Sequence, residues 1–214
     1  EDGIRDKLVT GVQTCALPIS ASATPSASAT PSATGSPTPT LDPSITRTYS
    51  APPPMTIDQN KSYTATIRLQ KGGEIKIQLL PKDAPNAVNN FVFLARNRFY
   101  EGLTFHRVIA NFVAQGGDPK GDGTGDSGYK LQPDKSTVPM DAGAISMAQS
   151  AAGISGSQFF ITLTPQPSLS PQFTVFGKVI AGMDVVQKIT LRDPSKGSQP
   201  PGDVIASITI AEGD

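Results

Sequence analysis

From residue 104 onward the chain is cut into apolar runs of five to seven residues, each closed by Gly, Pro or Asp. The runs are 104–109, 112–116, 144–148, 158–163, 174–180 and 204–210. Upstream, Thr64-Ala65-Thr66-Ile67-Arg68-Leu69 and Glu74-Ile75-Lys76-Ile77-Gln78-Leu79-Leu80 alternate as half-buried strands do. Lys71-Gly72-Gly73 between them is a hairpin signal. Only two stretches switch to a helical period. Many short strands with two interspersed helices predict an antiparallel barrel rather than βαβ units, and a barrel leaves no exposed edges.

The first helical stretch is 83–98. Val88, Phe91, Val92 and Ala95 fall on one face. Asp83 is the candidate N-cap, and Arg96 and Arg98 suit the C-terminal end. The second, 183–189, carries Val185, Val186 and Ile189. Both read as packing helices without chemistry.

The chain ahead of these elements differs in kind. Residues 20–40 contain only Ser, Ala, Thr, Pro and one Gly, with no charge and no aromatic ring. Such a stretch cannot bury enough apolar surface to offset its ordering entropy. Pro25, Pro31, Pro37 and Pro39 bias it toward extended states. Pro52-Pro53-Pro54 stiffens a second connector. Residues 20–57 are therefore expected to be a disordered linker, with the folded domain at 58–214. Residues 1–19 resemble the conceptual translation of a sequencing-library adapter and are expected to be an assembly artefact. Val12-Gln13-Thr14-Cys15 fits a lipoprotein cleavage site poorly, because no apolar region precedes it. A Ser/Ala/Thr/Pro stalk often follows a secretion signal or anchor. The expectation is an extracytoplasmic protein, secreted or tethered, with a cytoplasmic one as the alternative.

Composition narrows the function. Lys+Arg 18 balances Asp+Glu 18, which argues against a nucleic-acid partner. One Cys excludes an intrachain disulfide or thiolate cluster, and one His excludes a two-His zinc site. No apolar run reaches the roughly 18 residues of a membrane helix. No metal and no cofactor is expected.

Three segments carry the recognition. They are Phe105-His106-Arg107-Val108-Ile109-Ala110-Asn111-Phe112-Val113-Ala114-Gln115-Gly116-Gly117-Asp118-Pro119, then Gly156-Ser157-Gln158-Phe159-Phe160-Ile161-Thr162, then Phe173-Thr174-Val175-Phe176-Gly177-Lys178-Val179 leading to Gly182-Met183-Asp184-Val185-Val186. In this order and spacing, from about Tyr63 to Ile210, the chain resembles the cyclophilin family of peptidyl-prolyl cis/trans isomerases, in a bacterial secreted or lipoprotein-like form. The resemblance implies a mainly β fold, a closed eight-stranded antiparallel β-barrel capped by two α-helices. It implies an enzyme that turns X–Pro bonds and assists protein folding, acting as a monomer on Pro-containing peptides and unfolded clients.

Rotation about X–Pro breaks no covalent bond. The barrier is lost amide resonance, about 18–20 kcal/mol for a peptide bond, and the uncatalysed step takes tens to hundreds of seconds. Reaching about a millisecond means roughly 10⁵-fold, or about 7 kcal/mol. A fixed donor near the prolyl nitrogen stabilises the twisted amide, while an apolar pocket holds the ring still. No nucleophile or general base is needed.

By resemblance Arg107 is the catalytic residue, always charged and carrying five donors in a rigid fork. Phe112, Val113, Phe160 and Leu169 match the proline pocket. Gln115 matches the glutamine that holds the substrate backbone, and Gln158 matches a second pocket glutamine. Ala148-Gln149-Ser150 stands where the family usually has Ala-Asn-Ala and the substrate pairs as an added strand. His106, next to Arg107, should face the other side of its strand as a packing residue behind the site. Two positions depart from many relatives: Ser168 replaces Trp, and Phe173 replaces His at the pocket rim. Loss of the Trp implies weak cyclosporin binding.

Two other signals carry less. Gly123-Thr124-Gly125-Asp126-Ser127-Gly128 matches G-x-G-x-x-G but follows no strand and opens no helix. Asp118, Asp122 and Asp126 lack the alternation of a calcium loop. The alternative functions are a proline-peptide binding module with weak or no turnover, and a surface protein in which the stalk matters most.

Overall fold

The computed structural model describes residues 41–170 and 172–214. The expected artefact at 1–19 and the 20–40 part of the expected linker lie outside the described residues. β1 (Ser62–Leu69) and β2 (Glu74–Leu79) form the predicted hairpin. Tyr63, Ala65 and Ile67 pair with Leu79, Ile77 and Ile75, and all six side chains are buried. The alternating sequence thus becomes one apolar and one polar sheet face. Gly73 in the turn has φ +100°, and a Cβ there would come within 2.8 Å of a Val185 methyl, so only glycine fits.

Helix α1 (Pro85–Arg96) follows. Its predicted apolar face is buried, and Phe91 meets Tyr100, Phe159 and Phe176 at ring separations of 5.2, 5.5 and 5.3 Å. The predicted cap is not used. Pro85 occupies the first turn, which makes Ala84 the N-cap and leaves Asp83 one position too early. The Asp134 carboxylate caps the helix instead, accepting from the amides of Asn86 (3.0 Å) and Ala87 (2.9 Å).

The remaining elements are β3 (Arg107–Val108), β4 (Val113–Gly116), β5 (Lys130–Leu131), β6 (Ala144–Ser150), β7 (Gly153–Thr162), β8 (Val175–Ala181), α2 (Met183–Gln187) and β9 (Ile205–Gly213). Eight strands run in the order β3-β4-β7-β6-β8-β2-β1-β9, with every neighbour antiparallel. β5 stands off this path against β7. This is the expected mainly β, eight-stranded barrel with two helices. Its seam is irregular: no ladder joins β3 to β9. Instead Gly102 donates to Ile205 O, Ile205 to Leu103 O and Phe105 to Asp203 O, at 2.8–2.9 Å. The core is filled by the inward apolar side chains of the strands, the buried face of α1 and the aromatic group around Phe159.

The expected linker departs from its reading over 41–57. The Arg47 guanidinium donates to the carbonyls of Phe99 and Glu101. The Tyr49 ring meets Phe93 edge-on at 5.2 Å. Asn89 of α1 accepts from Thr56 N (2.9 Å) and donates to Pro54 O (2.9 Å). These residues are a strap across the domain, starting well before Asp58. Among the described residues no helix is long and apolar enough to cross a membrane.

Candidate active site

β3, β4 and β7 lie side by side, and their register places Arg107 opposite Gln115 and Gln115 opposite Phe160. Paired residues of adjacent strands share a sheet face. A cation, an amide and an aromatic ring therefore stand in one row on the outside of the barrel. Val113, two residues from Gln115, joins the same face.

Beneath the row is a second apolar cluster, separate from the barrel interior. Val113, Met140, Ala144, Ala148, Phe160 and Val175 are buried in it, with Phe112, Leu169 and Phe173 partly covered. Phe173 meets Phe160 edge-on at 5.3 Å, so it builds the rim where many relatives carry His. Leu169 is supplied by a one-turn 3₁₀ helix, Pro167–Leu169, whose Ser168 is exposed. The pocket has a volume of about 160 Å³. Sites for drug-sized ligands run to roughly 300–1,000 Å³, so this one suits a single small ring. Arg107, Phe112, Val113, Gln115 and Phe160 line it on one side, and Ala148, Gln149, Leu169 and Phe173 on the other.

Arg107 is half-buried at the mouth. Its guanidinium carbon lies 5.6 Å from the Phe112 ring centre, a cation–π distance. Among the described residues it makes no ion pair, so its charge is not neutralised by a carboxylate. Gln115 donates to Gln158 Oε1 at 2.8 Å and keeps its own carbonyl oxygen as an acceptor.

Three expected site residues stand apart. Gln158 is 6% exposed and does not line the pocket. It donates to the carbonyls of Gly123 (3.0 Å) and Gly125 (2.7 Å) and sits behind Gln115. Ser150 ends β6 opposite Gly153, outside the pocket, with its hydroxyl accepting from Ala152 N. His106 is 1% exposed, with neither ring nitrogen hydrogen-bonded. Burial pulls its pKa below the usual imidazole value. Met140, Ala144 and Val175 do not line the pocket but are buried in the cluster behind it, and no sequence motif marks them as part of the site.

The aspartates of the glycine loop are engaged with the backbone. Asp118 accepts from the amides of Lys120, Asp122 and Gly123, and among the described residues no cluster could hold a metal ion. Two larger concavities are present, one of about 490 Å³ away from the slot and one of about 450 Å³ that adjoins it through Gln149 and Phe173. Neither combines an apolar floor with Arg107.

A curled antiparallel barrel with an unneutralised guanidinium above a ring-sized apolar slot defines a protein that can seat a small ring and polarise the adjoining amide. Residues 64–210 match the family described as cyclophilin type peptidyl-prolyl cis-trans isomerase/CLD, and the chain belongs to that family. It is 45% identical to peptidyl-prolyl cis-trans isomerase B of Bacillus subtilis, over 62% of this chain and 94% of that protein. It is 43% identical to a peptidyl-prolyl cis-trans isomerase of Helicobacter pylori, over 71% and 88%. A solved cyclophilin-type isomerase from Cryptosporidium parvum superposes with a TM-score of 0.59 at 28% identity, over 70% of this chain and 98% of that one. The same protein was also solved in the presence of the dipeptide Ala-Pro. The chain is a peptidyl-prolyl cis/trans isomerase.

Proposed function

We propose that Arg107 is the catalytic residue and that the prolyl ring rests on Phe112, Val113, Phe160, Leu169 and Phe173. The observation that carries this reading is the Arg107–Gln115–Phe160 row with its unpaired guanidinium. As the acyl part turns, the prolyl nitrogen becomes pyramidal and gains a lone pair. An Arg107 N–H directed at that lone pair stabilises the twisted amide more than the planar one, which is the condition for catalysis. The apolar slot keeps the ring still. Gln115 and the main chain of Ala148 and Gln149 hold the peptide on either side. No group must gain or lose a proton.

The substrates on this reading are Pro-containing peptides and unfolded clients of the extracytoplasmic space, and the enzyme acts as a monomer behind its Ser/Ala/Thr/Pro stalk. Support for the location is the composition of residues 20–40, and for the ligand the Ala-Pro dipeptide used with the Cryptosporidium relative. The test is titration of the full chain with an Ala-Pro peptide, followed by amide shifts in NMR. Shifts concentrated at Arg107, Phe112, Gln115 and Phe160 support the assignment. Shifts confined to the seam around Lys120 and Arg192 contradict it.

A further inference from the structure

β7 does not run evenly along β6. Met147 pairs with Phe159, yet the next pair is Gln149 with Ile154. One β6 residue is thus matched by four on β7, and Ser155, Gly156, Ser157 and Gln158 leave the ladder with β6, Ser155 pairing instead with Lys130 of β5. Bulged amides lose their strand partners and need others. Two side chains, Asp126 and Ser155, supply them. Asp126 Oδ1 accepts from Ser155 Oγ (3.0 Å), Gly156 N (2.8 Å) and Ser157 N (3.1 Å). Ser155 Oγ in turn accepts from Gln158 N at 2.9 Å. Lys130 pairs with the other carboxylate oxygen.

The bulge has a consequence for the site. It delivers Gln158 to a position where its side chain bonds Gly125 O, beside Asp126, and receives the N–H of Gln115. Gln115 is the register partner of Arg107. Space confirms the fit: a Cβ on Gly156 would lie 2.1 Å from Ser127 Oγ and 2.7 Å from Tyr129 O. The loop and the bulge are in contact along their length.

We propose that Asp126 is a positioning residue: by holding the β7 bulge it sets Gln158, and through Gln158 the orientation of Gln115 beside Arg107. This rests on the roles of Arg107 and Gln115 given above. Asp126 touches no substrate. Its effect reaches turnover through the two glutamines.

The experiment is a double-mutant cycle on kcat/KM for an X–Pro peptide, using the full chain at a temperature where each variant is folded by circular dichroism. Asp126→Ala is expected to lose about tenfold, because sub-ångström misplacement of a reacting group is costly. Asp126→Asn keeps the accepting oxygen and is expected to stay within about threefold of wild type. On a Gln158→Ala background, Asp126→Ala should cost less than about twofold. Should Asp126→Ala fail to fold, Ser155→Ala carries the test. It removes the hydroxyl that donates to Asp126 and accepts from Ser157 N and Gln158 N, while leaving the Asp126 bonds to the Gly156 and Ser157 amides, and is expected to lose about threefold. An unchanged kcat/KM in the folded single variant, or the same loss in both backgrounds, overturns the proposal. Absence of turnover in the wild type counts instead against the site assignment on which it rests.

Discussion

The guanidinium carbon of Arg107 stands 5.6 Å from the centre of the Phe112 ring. The same ring lines the slot, so one side chain both contacts the cation and forms a wall of the apolar slot. Phe112→Leu keeps apolar volume and removes the π face. The contact is partly exposed, where cation–π pairs give about 0.5–1 kcal/mol, so kcat/KM should fall by roughly twofold to fivefold. Thermal unfolding should barely move, because Phe112 lies outside the barrel interior. A kinetic comparison paired with a melting curve checks both halves.

His106 makes stability depend on pH. Burial dominates and lowers its pKa; Asp118 and Asp122 oppose this weakly, while Arg192 and Arg107 add to the lowering. The unfolded chain, with its imidazole near 6.5, therefore binds the proton more readily than the native state. Above that value the imidazole is neutral in both states and contributes no pH dependence. Stability declines as pH falls through 6.5 toward the native pKa, by up to about 1.4 kcal/mol for each pH unit in that window. Denaturant midpoints at pH 7.5 and 5 should differ more for wild type than for His106→Phe. Equal differences would rule out His106 as the cause.

Because no group in the proposed step titrates, kcat/KM should be flat between about pH 6 and 8. A bell-shaped profile across that range would point to an acid–base role that the site does not provide.

Ser168 is exposed on the turn that supplies Leu169, where many relatives carry an indole. The rim lacks that apolar area and its N–H donor. Cyclosporin should inhibit weakly, and Ser168→Trp should tighten inhibition by about tenfold or more. Nanomolar inhibition of the unmodified enzyme would contradict this.

The helix cap gives a test independent of the site. Asp134→Ala frees the amides of Asn86 and Ala87 and should destabilise by about 1 kcal/mol. Asp83→Ala should cost nearly nothing, since Asp83 is not the cap. Urea unfolding of the two variants measures the contrast.

What the sequence disclosed was local. The alternation of β1 and β2 fixes the inner face, and Arg107, Phe112 and Gln115 lie within nine residues of one another on elements that fold back directly. Phe160 is legible only through the Gly156-Ser157-Gln158-Phe159-Phe160-Ile161-Thr162 motif. What stayed hidden depends on contacts between distant segments. The cap on α1 comes from Asp134, 48 residues away from Asn86. Gln158 is set back from the pocket because β7 bulges, and no periodicity announces a bulge held by a carboxylate from another loop. Residues 41–57 are Pro-rich and without a strand or helix period, so they read as linker. Their place on the domain comes from Arg47 and Tyr49 meeting groups provided by α1 and the turn after it.

The most direct measurement is protease-coupled X–Pro isomerisation by Arg107→Ala, alongside peptide affinity by calorimetry. Removing a donor aimed at charge that develops only in the transition state should lower kcat/KM by about 10²–10³. The peptide dissociation constant should stay within about threefold, because the slot itself is intact. Turnover equal to that of the wild type would contradict the account at its centre.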